Sequence, residues 1–209
     1  NRRFVYQDET GLMDLTRPKL VGRHQFANAA AAIRAVRQAG FEITDAIASK
    51  AMETVNWPGR MQRLTEGRLV ALAPKGSEIW LDGGHNPGAG SAISEALAEQ
   101  EERHPRPLFL ICGMINTKDQ TGFFRAFEGM ARHVFTVPVR MSEAGVPHDE
   151  LAVRALDAGL SAEPIDSVAN ALELLGQTWN GLEVAPRILI CGSLYLAGEV
   201  LTENGTPPV

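Results

Sequence analysis

The chain has 209 residues, 44% of them hydrophobic and 22% charged, enough for one good-sized core or for one complete domain and a piece of another. A formal net charge of -5 with no basic cluster argues against a nucleic-acid or membrane-surface binder, because such partners select a basic surface. No apolar run approaches the roughly 20 residues that cross a bilayer, and "NRRFVYQDET" has no apolar signal core, so the cytoplasm is the expected compartment.

The chain starts at Asn1 rather than methionine, a hint that something upstream has been removed. Residues 25 to 38 are alanine-rich, with Phe26, Ile33 and Val36 at helical spacing and Gly40 as a stop. "TDAIASKAMETV" predicts a second helix capped by Thr44, with Ile47, Ala51 and Val55 on one face. "NWPGR" ends the pair, because Pro58 cannot continue a helix and Gly59 permits a sharp turn.

Beyond that break, short apolar runs alternate with helical patterns. Strands are expected at "RLVALA", "EIWLD", "PLFLICG", "HVFTVPV", "AEPID" and "RILICGS". Helices are expected over 89 to 102, 120 to 131, 149 to 158 and 167 to 176, with a last one through Glu199. Strands and helices in alternation imply an α/β fold with a mostly parallel sheet covered on both faces. Cys112 and Cys191 close apolar runs and are expected to be free, buried thiols, since nothing else indicates an oxidising compartment. The end, "TENGTPPV", is expected to fray.

In open sheets of this kind ligands sit outside the carboxyl ends of the strands, and the polar, glycine-bearing clusters fall at that edge. The richest is "LDGGHNPGAG". There Gly83 and Gly84 allow a tight turn and close approach to a ligand, and the helix start that follows favours an anion. Asp82 is suited to a ribose hydroxyl, a metal-bound water or a cation, and His85 and Asn86 are compact donors for a carboxylate or phosphate. The plainer reading is a strand-to-helix turn, with Asn86 as cap and Pro87 near the first helical position.

The glycines do not fit the dinucleotide fingerprint, and the five histidines lack the spacing of zinc ligands. "GRHQFANAAAA" gathers His24, Gln25 and Asn28 at the mouth of a helix. "PGRMQR" presents Arg60, a planar cation suited to phosphate, on a Pro-Gly turn. "GMINTKD" offers Lys118 and Asp119, and "CGSLYLAGEVL" offers Gly192 and Ser193, although Ser193 would cap its helix whatever its function.

Together and in this order, "GRHQFANAAAA", "WPGRMQ", "LDGGHNPGA", "GMINTKD" and "CGSLYLAGEV" resemble the folylpolyglutamate synthase and dihydrofolate synthase group of the Mur ligase superfamily. The resemblance runs from about Val21 to Val200 and implies a Rossmann-like carboxyl-terminal domain over residues 63–209. Residues 1–62 would then be the helical tail of an ATPase domain, with Phe26, Ile33 and Val36 packing against a missing partner. None of the chain's four lysines follows a glycine-rich phosphate loop, so the resemblance covers the carboxyl-terminal portion only.

What the resemblance implies is an ATP- and magnesium-dependent ligase that adds L-glutamate to dihydropteroate or to a folate tail, with the magnesium ligands in the missing part. By motif match, Asn28, Arg60 and Asp82 contact the nucleotide, His85 is the catalytic candidate, and His85, Asn86 and Ser193 hold the glutamate or the acyl phosphate. The other readings are a Mur-type ligase with a different substrate and a non-catalytic Rossmann-like binding module.

Overall fold

The structure, a computed structural model, describes residues 3–207; Asn1, Arg2 and the end of the expected frayed tail, Pro208 and Val209, lie outside the described residues. The chain divides between Trp57 and Pro58 into two compact units.

The first unit opens on a hairpin of β1 (Arg3–Asp8) and β2 (Gly11–Thr16), followed by α1 (His24–Gln38) and α2 (Asp45–Thr54). Period-two alternation explains the hairpin: Met13 and Leu15 turn inward while Leu12 and Asp14 face out. Thr44 caps α2 as expected, accepting from the Ile47 amide at 3.3 Å. At the hairpin turn Asp8 accepts from the hydroxyls of Thr10 and Tyr6 and from Arg37, and these bonds hold its carboxyl far below the usual range.

Tyr6, Met13, Leu15, Ile33 and Ala48 form a core of their own. The expectation of an unpartnered apolar face on α1 is therefore corrected. Ile33 is buried inside the unit, Phe26 packs edge-on against Phe4 with ring centroids 5.4 Å apart, and only Val36 is exposed. The segment is also not wholly helical: its first residues pair as the β1–β2 hairpin, in two runs of only six residues each.

The second unit holds a six-stranded sheet. In chain order its elements are β3 (Gln62–Leu64), β4 (Glu78–Leu81), α3 (Pro87–Arg103), β5 (Leu108–Cys112), α4 (Gln120–Arg125) and β6 (Ala131–Thr136). They continue with α5 (His148–Asp157), β7 (Ala162–Pro164), α6 (Val168–Thr178), β8 (Arg187–Cys191) and α7 (Leu194–Glu203). The order across the sheet is β3-β4-β8-β5-β6-β7, all parallel except β3, which runs antiparallel to β4.

The central strands are apolar on both faces, as a sheet covered on both sides requires. Ile79, Phe109, Ile111, Ile188 and Ile190 pack with α6 and α7 in one cluster. The alternate residues Trp80, Leu110 and Leu189 point the other way, and α3, α4 and α5 pack on one another in a separate layer.

Three expectations need correction. "RLVALA" is not a strand: Asn204, 2% exposed, accepts from the Leu69 amide at 3.0 Å and donates to the Glu66 carbonyl at 2.9 Å, which ties the segment into a turn with one 3₁₀ turn at Val70–Leu72. The strand at this edge is instead β3. The helix expected over 120–131 stops at Arg125, after which turns lead into β6. The division after Trp57, rather than after residue 62, follows from the bonding of residues 59–64 to β4 and to the loop beyond it. Cys112 and Cys191 are free and buried, paired in register on β5 and β8, and burial together with the neighbouring thiol pushes the Cys191 thiol up.

Candidate functional site

Four strand ends and one turn meet at the carboxyl edge of the sheet. β4 runs into Asp82, β8 into Gly192 and Ser193, β5 into Gly113, and β6 into Val137. Because β3 is antiparallel, its start pairs with the end of β4, Gln62 opposite Leu81, and the Arg60 turn arrives at the same edge. Backbone bonds link these loops in series: Gly83 N to Gly59 O at 2.8 Å, Gly192 N to Gly84 O at 3.0 Å, Gly113 N to Cys191 O at 3.1 Å, and Val137 N to Cys112 O at 2.9 Å.

Asp82 is 5% exposed. One carboxylate oxygen accepts from the Met61 amide at 2.8 Å and the other from the Gly84 amide at 2.6 Å. Gly83 and Gly84 are required by close packing: a Cβ on Gly83 would lie 2.9 Å from Leu194 Cγ, and one on Gly84 would lie 2.6 Å from Ile93 Cδ1 and 3.1 Å from Ala89 Cβ. Their immediate partners are therefore the starts of α7 and α3.

His85 is half-buried, and its Nδ1 lies 2.8 Å from the Gly83 carbonyl. A carbonyl only accepts, so Nδ1 carries the proton, and the lone pair of the neutral ring sits on Nε2. Asn86 is exposed and caps α3, accepting from the Ala89 amide at 2.9 Å, with Pro87 in the first turn. Ser193 is 3% exposed and caps α7, accepting from the Tyr195 amide at 3.1 Å. Asp119 caps α4 by accepting from the Gly122 amide at 2.8 Å.

Arg60 is exposed on a turn that is itself firmly held. Gly59 has φ 68° and donates its N–H to Gln62 Oε1 at 2.9 Å, while Met61 has φ 38°, a left-handed conformation unusual for a side chain of its size. Met61 and Gln62 are the site residues that sequence reasoning missed; the Pro-Gly signal announced a turn but not its supports. Gly59→Ala would force a Cβ into a left-handed position and should cost about 1–2 kcal/mol. A urea midpoint equal to that of the parent chain would contradict this.

In the first unit, Asn28 is exposed in the opening turns of α1 and donates to Gln25 Oε1 at 3.1 Å, and Gln25 Nε2 lies 2.8 Å from His24 Nε2. Among the described residues no three His, Cys, Asp or Glu side chains are grouped as metal ligands would be. No helix among them is long and apolar enough to cross a membrane.

A cavity of about 990 Å³ opens at the opposite, amino edge, where Leu97, Pro107, Met130, Arg106, Arg132 and Arg187 are among its lining. Its arginines are already engaged: Arg132 with Glu183, Arg106 with the Gly76 and Ala185 carbonyls, and Arg187 with Glu78 and Glu101. The chemistry favours the carboxyl edge instead. There an exposed guanidinium, Arg60, and an imidazole lone pair, that of His85, are carried on loops bonded to each other.

The sequence pattern of the Mur ligase glutamate ligase domain matches residues 59–194. The folylpolyglutamate synthase of Lacticaseibacillus casei is 26% identical over 203 residues, which are 95% of this chain and 42% of that protein. A probable bifunctional folylpolyglutamate synthase/dihydropteroate synthase of Halobacterium salinarum is 31% identical over 187 residues, 88% of this chain and 20% of that protein. A crystal structure of Mycobacterium tuberculosis folylpolyglutamate synthase, complexed with ADP and AMPPCP, superposes with a TM-score of 0.78 at 24% identity over 95% of this chain and 44% of that one. The chain spans less than half the length of each of these relatives.

Proposed function

This chain belongs to the Mur ligase family, through its glutamate ligase domain, and from that premise we propose that it is the carboxyl-terminal portion of an ATP-dependent amide ligase. The substrates we assign are L-glutamate and the carboxylate of dihydropteroate or of a folate tail, with ATP and magnesium as co-substrate and cofactor. The names of the relatives support this choice. The observation that carries it is the hydrogen-bonded union of the Arg60 turn with the Gly83–His85 loop at the carboxyl edge.

Such a ligase transfers a phosphoryl group from ATP to the carboxylate, and the glutamate amine then attacks the activated carbonyl carbon and expels phosphate. Arg60, a planar cation on a rigid turn, would hold phosphate charge without reorganising. His85, with its lone pair fixed on Nε2, would accept a hydrogen bond from the incoming amine. Asn28 and Asp82 complete the nucleotide-side residues of this reading by motif, and Asn86 and Ser193 the glutamate-side ones. As capping residues, the last two would act through the helix starts they hold. By the same resemblance, the magnesium ligands are assigned to the amino-terminal part of the protein that this chain does not span.

The first 57 residues would be the end of the ATPase domain, and the 209-residue chain alone would be inactive, because half of a closing site cannot align phosphate with its acceptor. The test is phosphate release from magnesium-ATP with dihydropteroate and L-glutamate, comparing the full-length protein with this chain. Glutamate-dependent release by the full-length protein alone is the expected result. Release by neither, or release independent of glutamate, would overturn the reading.

A further inference from the structure

We infer that Cys112 and Cys191 form a dithiol site for trivalent arsenicals, set directly beneath the carboxyl edge. The two are the only cysteines of the chain. They end β5 and β8 and stand opposite each other in register on parallel strands, so they project to the same face from backbones about 4.8 Å apart. Both are buried, at 0% and 1% exposure, and their thiols are close enough to interact.

The chemistry of the pair selects the ligand. Burial and the neighbouring thiol keep Cys191 protonated, so the site presents a neutral group in a space that disfavours charge. A zinc ion would bring charge and seek four ligands, and among the described residues no third His, Cys, Asp or Glu side chain is grouped with the pair. An organic arsenoxide needs two sulfurs only. Its arsenic–oxygen double bond breaks, two arsenic–sulfur bonds form, and the two thiol protons leave with the oxygen as water. Arsenic stays trivalent, and reactants and product are all neutral.

Folding supplies the affinity. In the unfolded chain one arsenic must close a long loop between the two thiols, whereas the sheet holds them side by side in advance. Access comes from the strand ends, because the next residues, Gly113 and Gly192, lay no side chain over the pair. Room beside the pair is nevertheless short: a Cβ on Gly192 would lie 2.7 Å from Cys112 Sγ and 2.8 Å from Met114 Cγ. Arsenic held by both sulfurs must therefore push the Gly192 turn outward. That turn donates from Gly192 N to Gly84 O at 3.0 Å, so loading the dithiol should displace the loop that carries His85.

The binding test uses this chain and phenylarsine oxide. Mass spectrometry of the native chain should show one adduct, heavier by the reagent less one water, that survives excess monothiol and is removed by dimercaptopropanol. With the reagent in excess, the urea midpoint read by tryptophan fluorescence should rise, by about 1 M when the native chain binds about a hundredfold tighter than the unfolded one. Cys112→Ala should leave only an adduct that a monothiol removes; where that variant does not fold, the wild-type readings decide. No adduct on the native chain, or a midpoint that falls because the reagent prefers the unfolded chain, would overturn the inference.

The effect on the carboxyl edge rests on the ligase reading above and is tested in the full-length protein. There the adduct should lower glutamate-dependent phosphate release about tenfold or more, dimercaptopropanol should restore it, and Cys112→Ala should resist the reagent. An adduct on both thiols with no loss of rate would overturn the coupling to the edge. No release from the untreated protein would overturn the ligase reading instead, a result on which the mass and midpoint measurements do not depend.

Discussion

Replacing Arg187 by methionine should destabilise the second unit by about 3 kcal/mol, although the site is far from the carboxyl edge and the new side chain is apolar and of similar length. Arg187 opens β8 with its side chain 2% exposed, donating to Glu78 at 3.1 Å, to Glu101 at 3.1 Å and to the His104 carbonyl at 3.0 Å. The penalty comes from what is left behind. Glu78, its side chain 12% exposed, would keep only Arg63 and Arg106, each 3.6 Å away.

Burial works against the Glu78 charge, but the Arg187 hydrogen bond and charge, helped by Arg63 and Arg106, outweigh it and hold its carboxyl below the usual value. A depressed carboxyl contributes stability that is complete above the unfolded pKa and is lost as pH falls through the folded one. The wild type should therefore lose stability below the ordinary carboxylate range, and Arg187→Met should show a shallower acid slope. Adding Glu78→Gln to Arg187→Met should recover part of the loss. Urea unfolding followed by tryptophan fluorescence from pH 7 downward checks each point, and equal stability of wild type and Arg187→Met at pH 7 would refute the account.

Arg60→Ala should lower kcat/KM for ATP in the full-length protein by about 10²–10³, the range expected when one preorganised group facing developing charge is removed. Its unfolding free energy should stay within about 0.5 kcal/mol of the parent, since the side chain is exposed and the turn is held by Gly59, Met61 and Gln62. Arg60→Lys should recover only part of the rate, because an ammonium keeps the charge but not the planar fork that meets two phosphate oxygens. Steady-state phosphate release read beside a urea titration separates the outcomes. Loss of rate with equal loss of stability would make Arg60 a structural residue, and an unchanged rate would remove it from the site.

Elements long enough to show a period were legible: α1, α2, α3, α5 and α6 were predicted close to their observed limits, as were the apolar strands β4, β5 and β8. The same holds for caps, since Thr44, Asn86 and Ser193 act on amides within three residues, an interaction that adjacent sequence encodes. Segments whose bonding is long-range were not legible. "RLVALA" has the composition of a strand, but Asn204, 135 residues from Leu69, claims its backbone groups and makes it a turn. β3 has three residues and exists through pairing with β4, and the β1–β2 hairpin consists of two short strands held by pairing with each other.

The candidate site divides in the same way. The parallel α/β class was legible in the sequence, as was the proposal of Arg60, Asp82 and His85 as candidate site residues, because residue type and local turn signals are properties of neighbouring positions. Tertiary structure alone decided where these residues lie and what they bond to. The antiparallel run of β3 brings Arg60 to the end of β4, and the buried Asp82 accepts from the amides of Met61 and Gly84, one on each oxygen. Close packing on α7 and α3 accounts for Gly83 and Gly84. Side chains show which groups can donate or accept, but a buried group must find its partner within hydrogen-bond distance, and which partner that is depends on chain segments that only folding brings together.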